Sequence, residues 1–564
     1  MNENVASALK TVSAQTGVEV SLEGNRLRVA GATVSLPTVR QGSDELRLTG
    51  ERGELLGIHG LLPTVPHGDD RDKLLWRIIA EAAPDPGAAL LPDGELNNRL
   101  HERLALTPEA SEAVATALKE RFFNRGRLLP VHASLPLNYE HTRWNARAKK
   151  YEATGYTMFN GGILPFLLWN SKTGAPNTSL IQSLLDAVAA DDELTSLDHR
   201  FLGIALQGAL RPHAKPEAAE LVNAYQEPFA TAFASVGGPF CEPSLALFER
   251  DLQTVLATEL PRPERARWLS LVISLHLCIR LYRMAVALGS ELDLAVAASS
   301  QLDAPAGIRA CTCSGRNVEQ LQQCPLASAI RFRTGTGRFR PVRVDDGCHS
   351  SYREVDRRRL LDMPATLVTR TLAARAWAAL EPEQGAGRRG IAGLSQALIG
   401  NPKLRREHGA ACAAIAVLHH DAWRDGKATR EELERVGRTG PARPGLHALR
   451  EDVRLMRGRS LRRQSTDVVN QLMLGSSVGS GSLISRNGPS FGFFEVDEEL
   501  LLLLVRLVCR DRELPVDDFF RELRAYGLAP QDEAEREDLT STLERLGLLE
   551  RYSDAGEASF VHYA

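Results

Sequence analysis

The sequence lacks the short motifs that identify common nucleotide-dependent and zinc-dependent enzymes. Neither a Gly-x₄-Gly-Lys-Ser/Thr phosphate loop nor a His-Glu-x-x-His metal motif occurs in it. Residues 475–479 match the Gly-x-Ser-x-Gly string of a nucleophile elbow, but they lie in a glycine–serine stretch rather than between a strand and a helix. His420 and Asp421 end an apolar helical pattern and are candidates for a metal-dependent nuclease or phosphohydrolase site, with polar helix termination as the alternative. The sequence therefore favours a non-catalytic protein over an enzyme.

Cysteine, net charge and long apolar runs are also scarce. Eight cysteines in 564 residues are typical of a reducing compartment with buried thiols, and a net charge of −3 does not by itself predict a polyanionic partner. The N-terminus has neither the basic nor the apolar segment of a secretory signal. The most apolar stretch, residues 268–288, contains His276, Arg280 and Arg283, so it falls short of the ~18 uninterrupted apolar residues of a membrane span. We expect a cytoplasmic protein with no membrane partner.

The spacing of apolar residues predicts an α+β, mainly helical multidomain protein. Alternating apolar residues between Val18 and Leu36 predict a small antiparallel β-unit, and the i, i+3, i+4 pattern of residues 244–258 and 263–288 predicts a central helical bundle. Three helical patterns followed by two strands predict a C-terminal winged helix. The predicted units are 1–65 (β-rich), 66–177 (mixed α/β with aromatic-rich loops), 178–305 (helical bundle), 306–363 (Cys/Arg-rich insert), 364–472 (basic helical domain), 473–492 (Gly/Ser linker) and 493–564 (acidic winged helix).

Four cysteines in the central insert form a candidate metal site. They are Cys311, Cys313, Cys324 and Cys348, and His349 competes with Cys348 for the fourth position. Zinc takes about four thiolate or imidazole ligands, and the few apolar residues around this set are typical of a metal-held subdomain. One structural zinc ion is favoured over an iron–sulfur cluster. Because the set contains no Cys-x₂-Cys pair, unconnected thiols in irregular structure are the alternative.

The same insert is rich in arginine. Residues 309–370 contain twelve arginines, no lysine and six acidic residues. Guanidinium groups bind phosphate through two parallel hydrogen bonds, which predicts contact with the backbone of double-stranded DNA. A solvated face that pairs with Asp345, Asp346 and Asp356 is the alternative. The predicted nucleic-acid-binding residues are Arg331, Arg333, Arg338, Arg340 and Arg343, together with Arg459, Arg462 and Arg463 on a later basic helix near Asp452, which could equally dock the acidic tail.

The C-terminal unit carries the opposite charge. Residues 493–564 contain eight basic and eighteen acidic residues, and the third helical pattern begins with six charged residues in seven, Asp532 to Asp538. A helix this acidic would be repelled by DNA phosphates. The predicted winged helix is therefore expected to bind a protein partner.

This organisation resembles the accessory subunits of bacterial anti-phage and modification-dependent restriction systems. The resemblance rests on the β-rich start, the helical middle, the arginine-rich centre and the winged-helix end, and it implies a DNA-linked role in antiviral defence. The function expected from the sequence is a non-catalytic, DNA-associated scaffold or adaptor subunit of a bacterial multiprotein complex. The alternatives are a protein–protein adaptor without DNA affinity, and a metal-dependent nuclease or phosphohydrolase that uses His420 and Asp421.

Overall fold

The computed structural model shows a mainly helical protein with small antiparallel sheets. It describes residues 3–23, 26–35, 38–39, 48–49, 75, 78, 89–91, 93–123, 142–145, 150–153, 162–188, 200, 204, 206–207, 217–236, 240–300, 313, 315–324, 343–344, 347–348, 357–382, 391, 393–424, 426–456, 484–487, 491–494, 498–530, 533–552 and 559–563. One continuous apolar core runs through these residues, from Val5 near the N-terminus to Val561 near the C-terminus.

The N-terminal part is a helix packed on a three-stranded antiparallel sheet. Helix α1 (Glu3–Thr16) buries Val5, Leu9 and Val12. The sheet, in the order β1-β2-β3, confirms the β-unit predicted from alternating apolar residues in the part that is described. Its strands are β1 (Val20–Glu23), β2 (Arg26–Val29) and β3 (Ala32–Ser35). Helix α1 was not predicted, and it packs against helices from the second half of the chain.

Short elements follow between residues 38 and 207. The elements of this part are β4 (Thr38–Val39), β5 (Leu48–Thr49), β6 (Ala89–Leu90), α2 (Asp93–Leu104), α3 (Pro108–Phe123), β7 (Thr142–Asn145), β8 (Lys150–Ala153), α4 (Ile163–Leu167), β9 (Trp169–Asn170), β10 (Ala175–Pro176), α5 (Thr178–Val188) and β11 (Leu206–Gln207). Each strand pairs antiparallel with one other strand of this group.

The central helices confirm the predicted helical middle of the chain. They are α6 (Ala218–Val236), α7 (Glu242–Ala257) and α8 (Arg262–Ser300). Within α8, Glu264–Ser300 has the length and composition of a membrane span by an 18-residue window with mean hydropathy 1.7. Of that window 94% is buried inside the protein, which is the burial of a core helix. Helix α8 contacts helices from both halves of the chain.

A second group of helices follows α8 in the chain, and most of its members pack on α8 or on α1, whereas the short α9 contacts α7 and the C-terminal unit. The closest pair within it is α12 and α14, because Gly445 at the start of α14 lies against the backbone of Gly409 in α12. A Cβ atom at Gly445 would collide with the carbonyl oxygen of Gly409. The helices are α9 (Gln320–Gln323), α10 (Arg357–Leu380), α11 (Leu394–Gly400), α12 (Pro402–Trp423), α13 (Arg430–Gly437) and α14 (Gly445–Met456).

The C-terminal unit, residues 498–563, alternates helices and strands. Its elements are α15 (Glu498–Cys509), β16 (Leu514–Pro515), α16 (Val516–Leu523), a 3₁₀ turn (Arg524–Tyr526), α17 (Glu533–Arg545), β17 (Leu549–Arg551) and β18 (Ser559–Val561). The three strands form one antiparallel sheet in the order β16-β18-β17. Helix α15 is buried along most of its length, whereas α17 buries only Leu539, Thr542 and Leu543.

Two short hairpins lie in segments where few residues are described. One pairs β12 (Arg343–Val344) with β13 (Gly347–Cys348), so that Arg343 lies opposite Cys348. The other pairs β14 (Ile484–Asn487) with β15 (Phe491–Phe494). The predicted glycine–serine linker around residue 475 lies outside the described residues.

Candidate functional site

A buried polar network attaches the C-terminal unit to the central helices. Asp251 of α7 is fully buried, and its carboxylate accepts hydrogen bonds from Tyr526 at 2.7 Å and from Arg250 at 3.2 Å. His276 of α8 places Nε2 2.9 Å from the same carboxylate. Burial, together with the charge of Asp251, raises the pKa of Tyr526 well above its ordinary value, so its hydroxyl remains a donor at any physiological pH. Residues separated by 275 positions are thus held in one network.

Further contacts fix the orientation of the unit. Arg283 of α8 donates to the carbonyl oxygen of Ala525 at 2.6 Å. Gln322 of α9 donates to Glu522 at 3.0 Å. Trp268 meets Tyr563 edge to face at 5.8 Å, beside apolar packing that continues the main core. The C-terminal unit is therefore held to the helices on one side through backbone, side-chain and aromatic contacts.

A cleft of about 550 Å³ opens on the unit between α16, α17 and the sheet. Its acidic residues outnumber its arginines. They are Asp517, Glu533, Glu537 and Glu544, against Arg536 and Arg551. We call this the acidic cleft; the remaining residues that line it are Pro515, Val516, Thr540, Ser541, Ser559 and Phe560. Its mixture of carboxylates, hydroxyls and one aromatic ring is suited to a cationic, partly apolar ligand.

The two arginines of the acidic cleft are already engaged. Arg536 donates to Asp517 and lies 5.3 Å from the ring centre of Phe520. Arg551 lies 3.0 Å from Glu544. Glu533 and Glu537 are exposed, and no ion pair joins either to another residue that the structure describes. The cleft therefore presents net negative charge to solvent, which attracts lysine or arginine and repels phosphate.

His420 does not pair with Asp421, its neighbour in the sequence. Its Nδ1 lies 2.7 Å from one oxygen of Asp452 on α14, and Nδ1 of His419 lies 2.7 Å from the other. All three side chains are at most 4% exposed. Burial raises the pKa of Asp452, but the hydrogen bonds from the two histidines outweigh this effect and lower the pKa below its ordinary value. A carboxylate so enclosed joins α12 to α14 and has no open face for a substrate.

Of the four predicted metal ligands, the structure brings two together. The side chains of Cys324 and Cys313 both pack by Ala287 of α8. Cys348 lies in β13, and Cys311 and His349 lie outside the described residues. Among the residues that are described, no group of three or more His, Cys, Asp or Glu side chains has the arrangement of a metal site. The zinc site stays a prediction.

Most of the predicted nucleic-acid-binding arginines lie outside the described part of the chain. Arg343 is the exception, because it lies in β12 opposite Cys348. The others, Arg331, Arg333, Arg338, Arg340, Arg459, Arg462 and Arg463, fall in segments for which no structure is described. Their role as phosphate contacts stays a prediction.

One feature of the sequence indicates the buried network. His276, Arg280 and Arg283 interrupt an apolar helical stretch, which argues against a membrane span. Charged residues on an otherwise buried helix also indicate polar partners elsewhere in the fold. The partners, Asp251 and the 524–526 turn, could not be chosen without the structure.

Comparison with known proteins gives no guidance on this site. No protein-family model matches the chain, and no curated protein matches it.

Proposed function

We propose that this protein is a non-catalytic scaffold whose C-terminal unit is a winged helix that binds a basic segment of a partner protein. The acidic cleft carries this proposal, because it is open, negatively charged and held on a unit that is fixed to the central helices. The arginine-rich segments of the same chain would contact the backbone of double-stranded DNA. The protein would act in the cytoplasm, by joining the partner to DNA.

The order of elements in the C-terminal unit supports the winged-helix interpretation. Helix, short strand, helix, helix and two paired strands follow one another, and the short β16 joins the sheet beside β18. In DNA-binding relatives of helix-turn-helix type, a late helix of the unit enters the major groove. The corresponding helix here is α17, which has Glu533, Glu537 and Asp538 exposed. This charge favours a protein ligand over DNA at α17.

The counts of arginine support DNA contact elsewhere on the chain. Residues 403–463 contain fifteen basic and eight acidic residues, thirteen of the basic ones being arginine. In its described part this segment includes Arg454, which is paired with Asp362 at 3.0 Å, so some of its positive charge is used within the fold. The remaining arginines give DNA affinity that depends on salt concentration.

The first experiment measures binding of a labelled arginine-rich peptide to the full chain by fluorescence anisotropy. In the double variant E533Q/E537Q we expect the affinity to fall by about fivefold to tenfold, because two carboxylates that face the cleft become neutral. The matched control is E109Q/E112Q, which removes the same charge from exposed positions on α3. An equal loss in both variants would mean that the peptide responds to overall charge and that the cleft is not its site.

The second experiment addresses DNA. A labelled duplex of about 30 base pairs is titrated with the full chain at two salt concentrations, and binding should weaken as salt rises. The variant R338A/R340A should weaken binding to every duplex sequence and reduce the salt slope by about two counterions. The control is R26A/R28A on β2, which removes the same charge and should leave the salt dependence of duplex binding unchanged. If the wild-type chain fails to bind the duplex at low salt, the proposed DNA contact is wrong. The peptide experiment tests the acidic cleft separately, so that part of the proposal does not depend on this result.

A further inference from the structure

Three arginines in the centre of the protein are buried without enough negative charge to balance them. Arg280 and Arg283 lie on α8 and Arg370 lies on α10, and they are 2%, 3% and 2% exposed. Each keeps two guanidinium nitrogens that have no hydrogen-bond partner in the described structure. These atoms are Nε and Nη2 of Arg280, Nε and Nη1 of Arg283, and Nε and Nη2 of Arg370. Buried polar atoms in folded proteins are nearly always paired, so six such donors require an explanation.

The arginines gather around one position, the start of α7. Arg280 donates from Nη1 to the carbonyl oxygen of Phe240 at 2.7 Å, and this nitrogen lies 3.4 Å from the hydroxyl of Ser244. The guanidinium of Arg370 lies 5.6 Å from the ring centre of the same Phe240. Arg283 is one helical turn from Arg280. Burial, together with the charge of Arg283, lowers the pKa of Arg280 to about 10, so Arg280 remains cationic at neutral pH.

The start of α7 adds partial positive charge to this position. Its N-cap residue, Cys241, has a left-handed backbone with φ of 55° and provides no side-chain cap. The helix dipole favours an anion at such an end, whereas Pro243 has no N–H group and the N–H of Ser244 already donates to the carbonyl oxygen of Cys241. Glu242 lies in this first turn, and among the described residues it forms no ion pair with any of the three arginines. The hydrogen-bond donors at this position are therefore those of the buried arginines.

The charges can be counted. Among the described residues, Glu291 is the one carboxylate that forms an ion pair with any of the three arginines, and it lies 2.6 Å from Nη1 of Arg370. The carbonyl oxygens of Phe240, Ala525 and Leu288 accept from the other donors but carry no formal charge. Two positive charges therefore remain uncompensated among the described residues. A phosphate monoester or hydrogen phosphate carries between about −1.5 and −2 at neutral pH and three strong acceptor oxygens.

We propose that the unpaired guanidinium donors of Arg280, Arg283 and Arg370, beside the start of α7, bind the phosphate group of a small molecule in the core of the protein. The planar guanidinium forks supply paired donors for phosphate oxygens, and the charge of the group matches the two uncompensated arginines. A duplex cannot be the ligand, because the three side chains are almost completely enclosed. The ligand is inorganic phosphate or a small monoester, held between the central helices and the C-terminal unit. This site is independent of the acidic cleft and of the DNA contact.

The enclosure of the site determines the first measurement. A ligand surrounded by α7, α8 and α10 leaves slowly, so it is expected to remain through purification in buffers that contain no phosphate. The full chain is denatured with acid and the supernatant is examined by ³¹P NMR, which distinguishes inorganic phosphate from a monoester. About one phosphate group per chain is the expected result. Native mass spectrometry of the same sample should show the corresponding added mass, which is lost on denaturation.

A second measurement uses protein dialysed to remove the ligand. Thermal unfolding is followed with added phosphate, with adenosine monophosphate as a model monoester, and with potassium chloride at equal ionic strength. Phosphate or the monophosphate should raise Tm in a saturable manner by about 2–5 °C more than the chloride does. Stabilisation by phosphate alone identifies the free ion as the ligand, and stronger stabilisation by the monophosphate identifies an ester.

The conservative variant R283K tests the role of the planar fork. Lysine keeps the charge but cannot make paired hydrogen bonds, so we expect the phosphate concentration at half-maximal stabilisation to rise about tenfold. R450K is the control, because Arg450 is partly buried and pairs with Asp293 on another part of α8, and its phosphate dependence should match the wild type. No phosphorus in the extract, together with no saturable stabilisation of the wild-type chain by either ligand, would overturn the proposal whether or not the variants fold.

Discussion

Two buried carboxylates, Asp251 and Asp452, have similar chemistry but connect different parts of the molecule. Asp251 accepts from Tyr526, and His276 lies beside it, so it joins α7, α8 and the C-terminal unit. Asp452 is bound by two consecutive histidines of α12 and joins only the neighbouring helices α12 and α14. The comparison shows that one type of buried contact can hold a distant unit in place or reinforce a local helix pair. Which of the two it does depends on how far apart in the chain its members lie.

The largest effect is expected for D251N. Removing the charge leaves Arg250 and His276 without their carboxylate, and loss of one member of a buried charged group lowers the free energy of unfolding by about 4 kcal/mol. Hydrogen exchange should increase most in residues 514–528, because the network attaches that part of the C-terminal unit. Chemical denaturation with exchange mass spectrometry measures both effects. D518N is the control, since Asp518 is partly exposed and its one ion pair among the described residues is with Arg521 in the same turn.

D452N should lower the free energy of unfolding by about 3 kcal/mol through the loss of a carboxylate that accepts from two histidines. Faster hydrogen exchange is expected in α12 and α14 and not in the C-terminal unit. Because the pKa of Asp452 is lowered in the folded state, its contribution is present above about pH 4 and disappears as the pH falls through the folded pKa. If D452N also increased exchange in residues 514–528, the distinction between the two carboxylates would be lost.

His408, also on α12, has no carboxylate partner within the described part of the chain, in contrast to His419 and His420. It is completely buried, and burial lowers its pKa to about 4. The unfolded chain protonates this histidine near pH 6.5 while the folded protein keeps it neutral, so stability falls as the pH is lowered from about 6.5 to 4. This histidine contributes up to about 3 kcal/mol to that decrease. The free energy of unfolding, obtained from chemical denaturation at several pH values, should depend less on pH between 6.5 and 4 in H408Q than in the wild type. Equal pH dependence in the two proteins would contradict the assignment.

The smallest expected effect concerns the close approach of α12 and α14. G445A should lower the free energy of unfolding by about 2 kcal/mol, because the added methyl group collides with the carbonyl oxygen of Gly409 and must separate the two helices. G409A is a matched control from the same contact. A Cβ there has nothing within 4 Å, and alanine is favoured over glycine inside a helix, so G409A should be neutral or slightly stabilising. Equal effects of the two substitutions would mean that the close approach does not limit the packing of α12 on α14.

The sequence was most informative where apolar residues repeat regularly. The predicted helix at residues 263–288 lies inside α8, which continues to Ser300. Beyond residue 288, Leu292, Ala295 and Ala298 remain buried and continue the packing. Helix α1 was missed, although its apolar residues follow a helical spacing, and its partners α12 and α13 lie about four hundred residues later in the chain.

The site was less predictable than the fold because its contacts join remote residues. His420 and Asp421 were paired as neighbours, yet consecutive residues on a helix point in directions about 100° apart. His420 therefore reaches Asp452 on the next long helix. The acidity of α17 is evident from composition and predicts a protein ligand rather than DNA, which stays a prediction. The cleft beside it depends on how α16, α17 and the sheet are placed together, which composition does not specify.

Helix α8 has a consequence for how the protein is made. It extends over 39 residues, about 58 Å, and most of its surface is covered by other elements. Synthesis proceeds from the N-terminus, so α8 leaves the ribosome before any residue of α10 to α17 exists. During that interval a helix with the hydropathy of a membrane span has only α1 to α7 to cover it. Nascent chains that stop after Ser300 should therefore bind chaperones more strongly than the finished protein does.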